Sequence, residues 1–167
     1  MSDDADLLER LARALRRQHA SLATAESCTG GLIAAACTSL AGSSEWFERG
    51  FVTYSNAAKT DMLGVPAELI AAHGAVSAEV ASAMAAGALR HSKAGFAIAV
   101  TGIAGPGGGT PGKPVGTVWI GVAPSGRAPP TTTLLQVAGS RSVIRDAAVS
   151  RALALAVACC EAAAPRP

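Results

Sequence analysis

Short apolar runs of strand character alternate with stretches of helical periodicity through the first hundred residues. This alternation limits what the 167-residue chain can fold into more than any other feature. Residues 4–19 carry Leu7, Leu8, Leu11, Ala14 and Leu15 at helical spacing with arginines opposite. Acids open that segment and bases close it, which complements the helix dipole. Residues 21–25 read as a short strand. Residues 31–40 read as a helix of small residues, stopped by Ala41-Gly42-Ser43-Ser44. A second strand covers 51–54, at its longest from Arg49. Helices over 56–63 and 66–72 are separated by Gly64-Val65-Pro66, the second with proline in its first turn and Gly74 as its cap. A helix over 77–91, a buried-type strand over 95–100 and a loop over 102–116 follow; the loop holds seven glycines and three prolines. Strands over 115–123 and 131–137 and a long helix over 140–163 complete the chain.

Helices alternating with strands early, and two strands side by side late, predict an α/β fold. The expected form is a three-layer α/β/α sandwich around a mixed, mostly parallel sheet of about five strands. The short join over 124–130 makes one of the late strands antiparallel. Neither an internal repeat nor a linker divides the sequence, so the expectation is a single domain over 1–167.

Composition excludes several partners. The 14 basic and 12 acidic residues give no single-sign field for nucleic acid, and the one dense basic cluster, Arg10, Arg13, Arg16 and Arg17, reads as a solvated helix face. No run approaches the ~20 apolar residues of a membrane span. The opening Met1-Ser2-Asp3-Asp4 lacks the basic and apolar regions of a signal peptide. Cys28, Cys37, Cys159 and Cys160 have neither zinc-ligand spacing nor a disulfide framework, which suits a reducing cytosol. The expectation is a soluble cytoplasmic domain that binds neither nucleic acid nor membrane.

The chemistry concentrates at Ala25-Glu26-Ser27-Cys28-Thr29-Gly30-Gly31, where a strand-like run ends and a helical run begins. A serine at such a turn reads either as a nucleophile beside free backbone N–H groups or as a plain helix cap. Two nucleotide motifs fail nearby. Residues 107–112 match G-x-G-x-x-G but precede a strand rather than a helix, and Pro114 stands where a P-loop needs Ser or Thr. Ala25 and Thr29 occupy the glycine positions of G-x-S-x-G. His19, His73 and His91 all fall near helix ends, so a Ser-His-Asp triad is unsupported.

Lysine usage is more telling. The chain has eleven arginines and three lysines, and a desolvated lysine can lose its proton where arginine cannot. Lys59 lies five residues after Tyr54, the only tyrosine. With Asn56 able to cap the intervening helix, both can face the same crevice as Ser27. The competing reading is an ordinary strand tyrosine and a surface lysine.

AESCTGG (25–31), GSSEWFERGFVTYSNAAK (42–59), HGAVS (73–77), TGIAGPGGG (101–109) and KPVGTVW (113–119) together resemble the C-terminal domain of the CinA family. Standing alone, the chain is similar to the PncC-type nicotinamide-nucleotide amidohydrolases, over about residues 5–160. The resemblance implies hydrolysis of the carboxamide of nicotinamide mononucleotide to nicotinic acid mononucleotide and ammonia, in pyridine-nucleotide recycling, on an anticodon-binding-domain type of α/β/α fold. It implies Ser27 as nucleophile, with Tyr54 and Lys59 as the residues that activate it. Thr101, Gly102 and Arg141 match positions at the nucleotide pocket, and Thr29, Gly30 and Gly31 would supply backbone amides to substrate and oxyanion. Neither metal nor cofactor enters this scheme. Glu26 reads as orienting Lys59 or a ribose hydroxyl, or as an ion pair at a helix start; Cys28 reads as a small packing residue. The alanine-rich helices suggest a homo-oligomer, with a dimer expected. The alternative is a non-catalytic nucleotide-binding or interaction module of the same family.

Overall fold

The computed structural model describes residues 2–126 and 128–163. Its elements are α1 (Ser2–Arg17), β1 (Leu22–Glu26), α2 (Leu32–Ser39), a single 3-10 turn (Ser43–Glu45), β2 (Phe47–Val52), α3 (Asn56–Leu63), α4 (Ala67–His73), α5 (Ala78–Arg90), β3 (Phe96–Gly102), β4 (Thr117–Pro124), β5 (Thr131–Gln136) and α6 (Arg141–Ala162). Five strands form one sheet in the order β2-β1-β3-β4-β5. β1 runs parallel to both β2 and β3, whereas β4 is antiparallel to β3 and to β5. One strand therefore opposes the other four, as the short β4–β5 join predicts. Within that join, Arg127 lies outside the described residues, as does Met1 of the opening read for a signal peptide.

Side-chain size assigns each face of the sheet its helices. Along β3, Phe96, Ile98 and Val100 point to one side and pack with Leu11 and Leu15 of α1, Ile33 of α2 and Ile144, Leu153 and Val157 of α6. Ala97 and Ala99 point to the other, with Ala23 and Ala25 of β1, and meet Val80, Met84 and Ala88 of α5 and Leu63 of α3. Alternation of large and small residues on a period of two thus builds a thick layer beneath and a close one above. The three-layer sandwich follows from it.

The edge strand β2 begins four residues before the expected 51. Its burial is irregular and only Phe51 is buried in it, so no apolar alternation marks Phe47–Val52 in the sequence. Residue 54 falls outside the strand, in the connection to α3. The carboxyl ends of β1, β2 and β3 consequently share one side of the molecule, the side where open α/β sheets hold ligands.

Candidate active site

A cleft of about 270 Å³ opens at those carboxyl ends. Ser27 and Cys28 line it from the turn after β1, Tyr54, Asn56 and Lys59 from the β2–α3 region, Ala75 and Val76 from the α4–α5 connection, and Thr101 and Gly102 from the end of β3. The glycine-rich segment contributes residues 103–105, 107 and 108, and Arg141 closes the rim from the first turn of α6.

Lys59 is 1% exposed, and its burial follows from α3. That helix has two buried residues, Lys59 and Leu63, one turn apart on its inward stripe. The Ser55 hydroxyl caps it by accepting from Ala58 N at 3.0 Å; Asn56, the residue expected to cap, is the first helical residue and lines the cleft. Lys59 Nζ donates to Ser27 Oγ at 3.1 Å, to the Thr53 carbonyl at 2.9 Å and to the Tyr54 carbonyl at 3.3 Å. Burial holds the Lys59 amine below the usual lysine range.

This arrangement has a chemical consequence. A charged ammonium satisfies three acceptors with three protons. A neutral amine keeps two hydrogens and a lone pair. The two carbonyls can only accept, so they retain the hydrogens, and the lone pair falls to Ser27, the one neighbour with a proton to give. Desolvation favours that neutral form, in which the lone pair faces the Ser27 hydroxyl.

The turn carrying Ser27 is rigidly held. The Ser27 N–H donates to Val100 O at 3.0 Å and Gly30 N–H to Ser27 O at 3.0 Å. Glu26, fully buried, accepts from the Thr29 hydroxyl at 2.8 Å, from Ile33 N at 2.9 Å, from Ala34 N at 3.0 Å and from the Thr24 hydroxyl at 3.3 Å. It meets neither Lys59 nor an arginine. Instead it satisfies the first free N–H groups of α2, whose own cap residue, Gly31, offers no side chain. Gly30 and Gly31 have φ of 58° and 100°, left-handed values that glycine takes without strain. Thr29, Gly30 and Gly31 do not line the cleft. Thr29 is turned to Glu26, and the two glycines shape the turn.

Tyr54 faces the same cleft as Ser27 and Lys59, as expected, but from the connection after β2 rather than from the end of a strand. Its side chain is 60% exposed, and its hydroxyl accepts from Arg141 Nη2 at 3.0 Å, with no hydrogen bond to Ser27 or Lys59. The backbone, not the phenol, serves those two residues: the Tyr54 carbonyl accepts from Lys59, and Ser27 Oγ lies 3.5 Å from it. Arg141 Nη1 donates to Gly105 O at 2.7 Å, so the guanidinium bridges Tyr54 and the glycine-rich segment across the rim. Thr101 lines the cleft while its hydroxyl donates to Ala75 O at 2.8 Å, tying β3 to the α4–α5 connection. Gly102 allows close packing: a Cβ there would lie 2.7 Å from Val118 Cγ2 and 3.1 Å from Cys28 Sγ.

Burial pushes the Cys28 thiol up to about 11, which favours the protonated form. Beside Ser27, the more reactive element by nature is thus kept protonated and inert. His19, His73 and His91 do not line the cleft. Sequence reasoning gave no individual role to the Thr53 carbonyl, Ala75, Val76 or Arg145. Contacts made by main-chain oxygens leave no residue pattern to read.

Comparison with known proteins follows the same lines. A profile of the CinA C-terminal domain matches residues 4–160. The nicotinamide-nucleotide amidohydrolase PncC of Escherichia coli K12 is 50% identical over 147 residues, covering 88% of each chain. A longer relative from Symbiobacterium thermophilum is 50% identical over 161 residues, and the present chain spans 38% of its length. The crystal structure of the competence/damage inducible protein CihA from Agrobacterium tumefaciens superposes with a TM-score of 0.90 at 46% identity, covering 93% of this chain and 94% of that one.

Proposed function

The chain belongs to the CinA C-terminal domain family, and on that premise we propose that it is a nicotinamide-nucleotide amidohydrolase that deamidates nicotinamide mononucleotide through an acyl-enzyme on Ser27. The observation that carries this reading is the buried Lys59 amine 3.1 Å from Ser27 Oγ, with its other two contacts made to carbonyls that cannot supply a proton.

Neutral Lys59 takes the Ser27 proton as the oxygen attacks the carboxamide carbon. The carbonyl π pair moves to oxygen, and backbone N–H groups of the turn stabilise the resulting charge, at about 3–4 kcal/mol per well-placed donor. Lys59 then returns the proton to the amide nitrogen. The C–N bond breaks, ammonia leaves and an ester on Ser27 remains. Water enters, gives a proton to Lys59 and attacks the ester; collapse restores the Ser27 hydroxyl and frees nicotinic acid mononucleotide. Arg141 keeps further N–H donors beyond those to Gly105 and Tyr54, and bidentate geometry suits it to the phosphate. Ala75 and Val76 give the cleft an apolar wall against which a pyridine ring can lie.

Mass spectrometry of the nucleotide after incubation tests the reading. Amide becoming acid adds about one mass unit, with equimolar ammonia. Ser27→Ala should abolish the conversion, and Lys59→Ala should lower kcat at least about 1,000-fold, as expected for residues acting as a unit. A folded Ser27→Ala protein that still produces acid would refute it.

A further inference from the structure

We infer that Arg145, which lies outside the cleft, is a positioning residue of the reaction: it fixes the turn after Ser27 so that the amide edge of that turn is held ready for the oxyanion. The inference rests on the reading of Ser27 as nucleophile. Arg145 Nε donates to the Cys28 carbonyl at 3.1 Å and Nη2 to the Thr29 carbonyl at 3.2 Å. No ion pair engages Arg145 among the described residues, so its charge is directed at two consecutive main-chain oxygens.

Peptide geometry converts that contact into an orientation. In a trans peptide the C=O of one residue and the N–H of the next point in opposite directions. Holding the Cys28 carbonyl toward α6 turns the Thr29 N–H away from it. The Ser27 carbonyl, held by Gly30 N–H, fixes the Cys28 N–H in the same manner. The amide of Ser27 is already committed to Val100 O, Gly30 N–H to Ser27 O, and Ile33 and Ala34 to Glu26. The N–H groups of Cys28 and Thr29 have no protein oxygen as partner among the described residues. In serine hydrolases the N–H following the nucleophile commonly serves the oxyanion. The turn is therefore clamped between the Glu26 side chain inside and the Arg145 guanidinium outside, and every carbonyl from 27 to 29 is engaged, while the N–H of Cys28, the residue after Ser27 that lines the cleft, donates to no protein oxygen among the described residues.

Position on α6 explains why two arginines divide the work. Arg141 and Arg145 stand four residues apart, on one helix face. The first reaches the rim at Gly105 and Tyr54, the second the turn. A guanidinium has the fork needed to hold two oxygens at once, and an ammonium does not.

Arg145→Ala and Arg145→Lys should be compared with the wild-type chain in nicotinamide mononucleotide hydrolysis and in labelling of Ser27 by a fluorophosphonate, whose phosphoryl oxygen needs the same amide edge. Arg145→Ala should lose about 100-fold in kcat, the cost typical of a slightly misplaced reacting group, with KM within about twofold. Labelling should slow to a similar degree, and the lysine variant should recover little of either. Guanidinium chloride at low millimolar concentration should raise the rate of Arg145→Ala but not that of the wild type, a rescue that mere loss of packing would not show. Wild-type kcat and labelling rate in a folded Arg145→Ala protein would overturn the inference alone and leave the amidohydrolase reading intact. So would a defect confined to KM, or a loss of rate without rescue. A wild-type chain inert to both nucleotide and reagent would remove the proposed function and this inference together.

Discussion

The Ser27–Lys59 contact ties reactivity to a single proton. With its three acceptors filled, the protonated Lys59 is a hydrogen-bond donor to Ser27 and no base at all. Activity must therefore rise with pH as that amine deprotonates, and burial places the rise below the ordinary lysine value of 10.5. The profile of kcat/KM for the free enzyme should show one ascending limb below that value. Lys59→Arg, whose guanidinium stays charged, should have no such limb and a rate near background. Tyr54 leads to a different expectation. Its hydroxyl touches Arg141 rather than Ser27, so Tyr54→Phe removes one hydrogen bond from the rim arginine. Loss of a contact of about 1 kcal/mol should raise KM for the nucleotide roughly 5-fold and change kcat by less than about twofold. Steady-state kinetics decide the matter: a collapse of kcat at constant KM would make the phenol an activator of the serine after all.

α3 is the element on which the proposed site depends, because its eight residues carry Lys59 and are held by one side-chain cap. Ser55→Ala removes that cap and should cost about 1 kcal/mol, or about 2–4 °C in thermal midpoint for a chain of this size. Fraying there displaces Lys59, so kcat should fall further than stability suggests. Thermal melts and kinetics on the same preparation test the coupling. The same element shows what a sequence discloses. Its bounds, 56–63, were legible because Gly64-Val65-Pro66 stops it and a polar residue starts it. β3 was legible as a continuous apolar run of buried type, although the alternation that divides its two faces between the helix layers emerges only in the structure. β2 was placed late because an edge strand with one buried residue has no such signature. At the site, the pairing of Ser27 with Lys59 was anticipated from scarce lysines and from family resemblance. The turn geometry of Gly30 and Gly31, the capping role of Glu26 and the reach of Arg145 were not, because each serves backbone atoms that every residue possesses.

On the scale of the whole molecule, the buried ionisable groups pull stability in opposite directions with pH. Lys59 has its folded value lowered from 10.5 by burial. Between that lowered value and 10.5 the unfolded chain binds more protons than the folded one, so stability rises with pH across this window and is lost as pH falls through it. The slope for one group is at most about 1.4 kcal/mol per pH unit. The thiols act the other way. Burial raises Cys28 from 9.0 to about 11 and Cys37 to about 12, so the folded chain is the more protonated form there. Their contribution is complete below 9.0 and is lost as pH rises toward the folded values. Wild-type stability should accordingly climb with pH toward the start of thiol titration and decline beyond it. Lys59→Met removes the climbing part and leaves the decline. Denaturant unfolding of both proteins from pH 6 to pH 10, taken as the difference in unfolding free energy at each pH, isolates the lysine from every other titration. That difference should shift in favour of the wild type as pH rises. A difference flat across the range would mean that the folded protein does not lower the lysine's affinity for its proton, and the amine would then remain charged where the reaction needs it neutral.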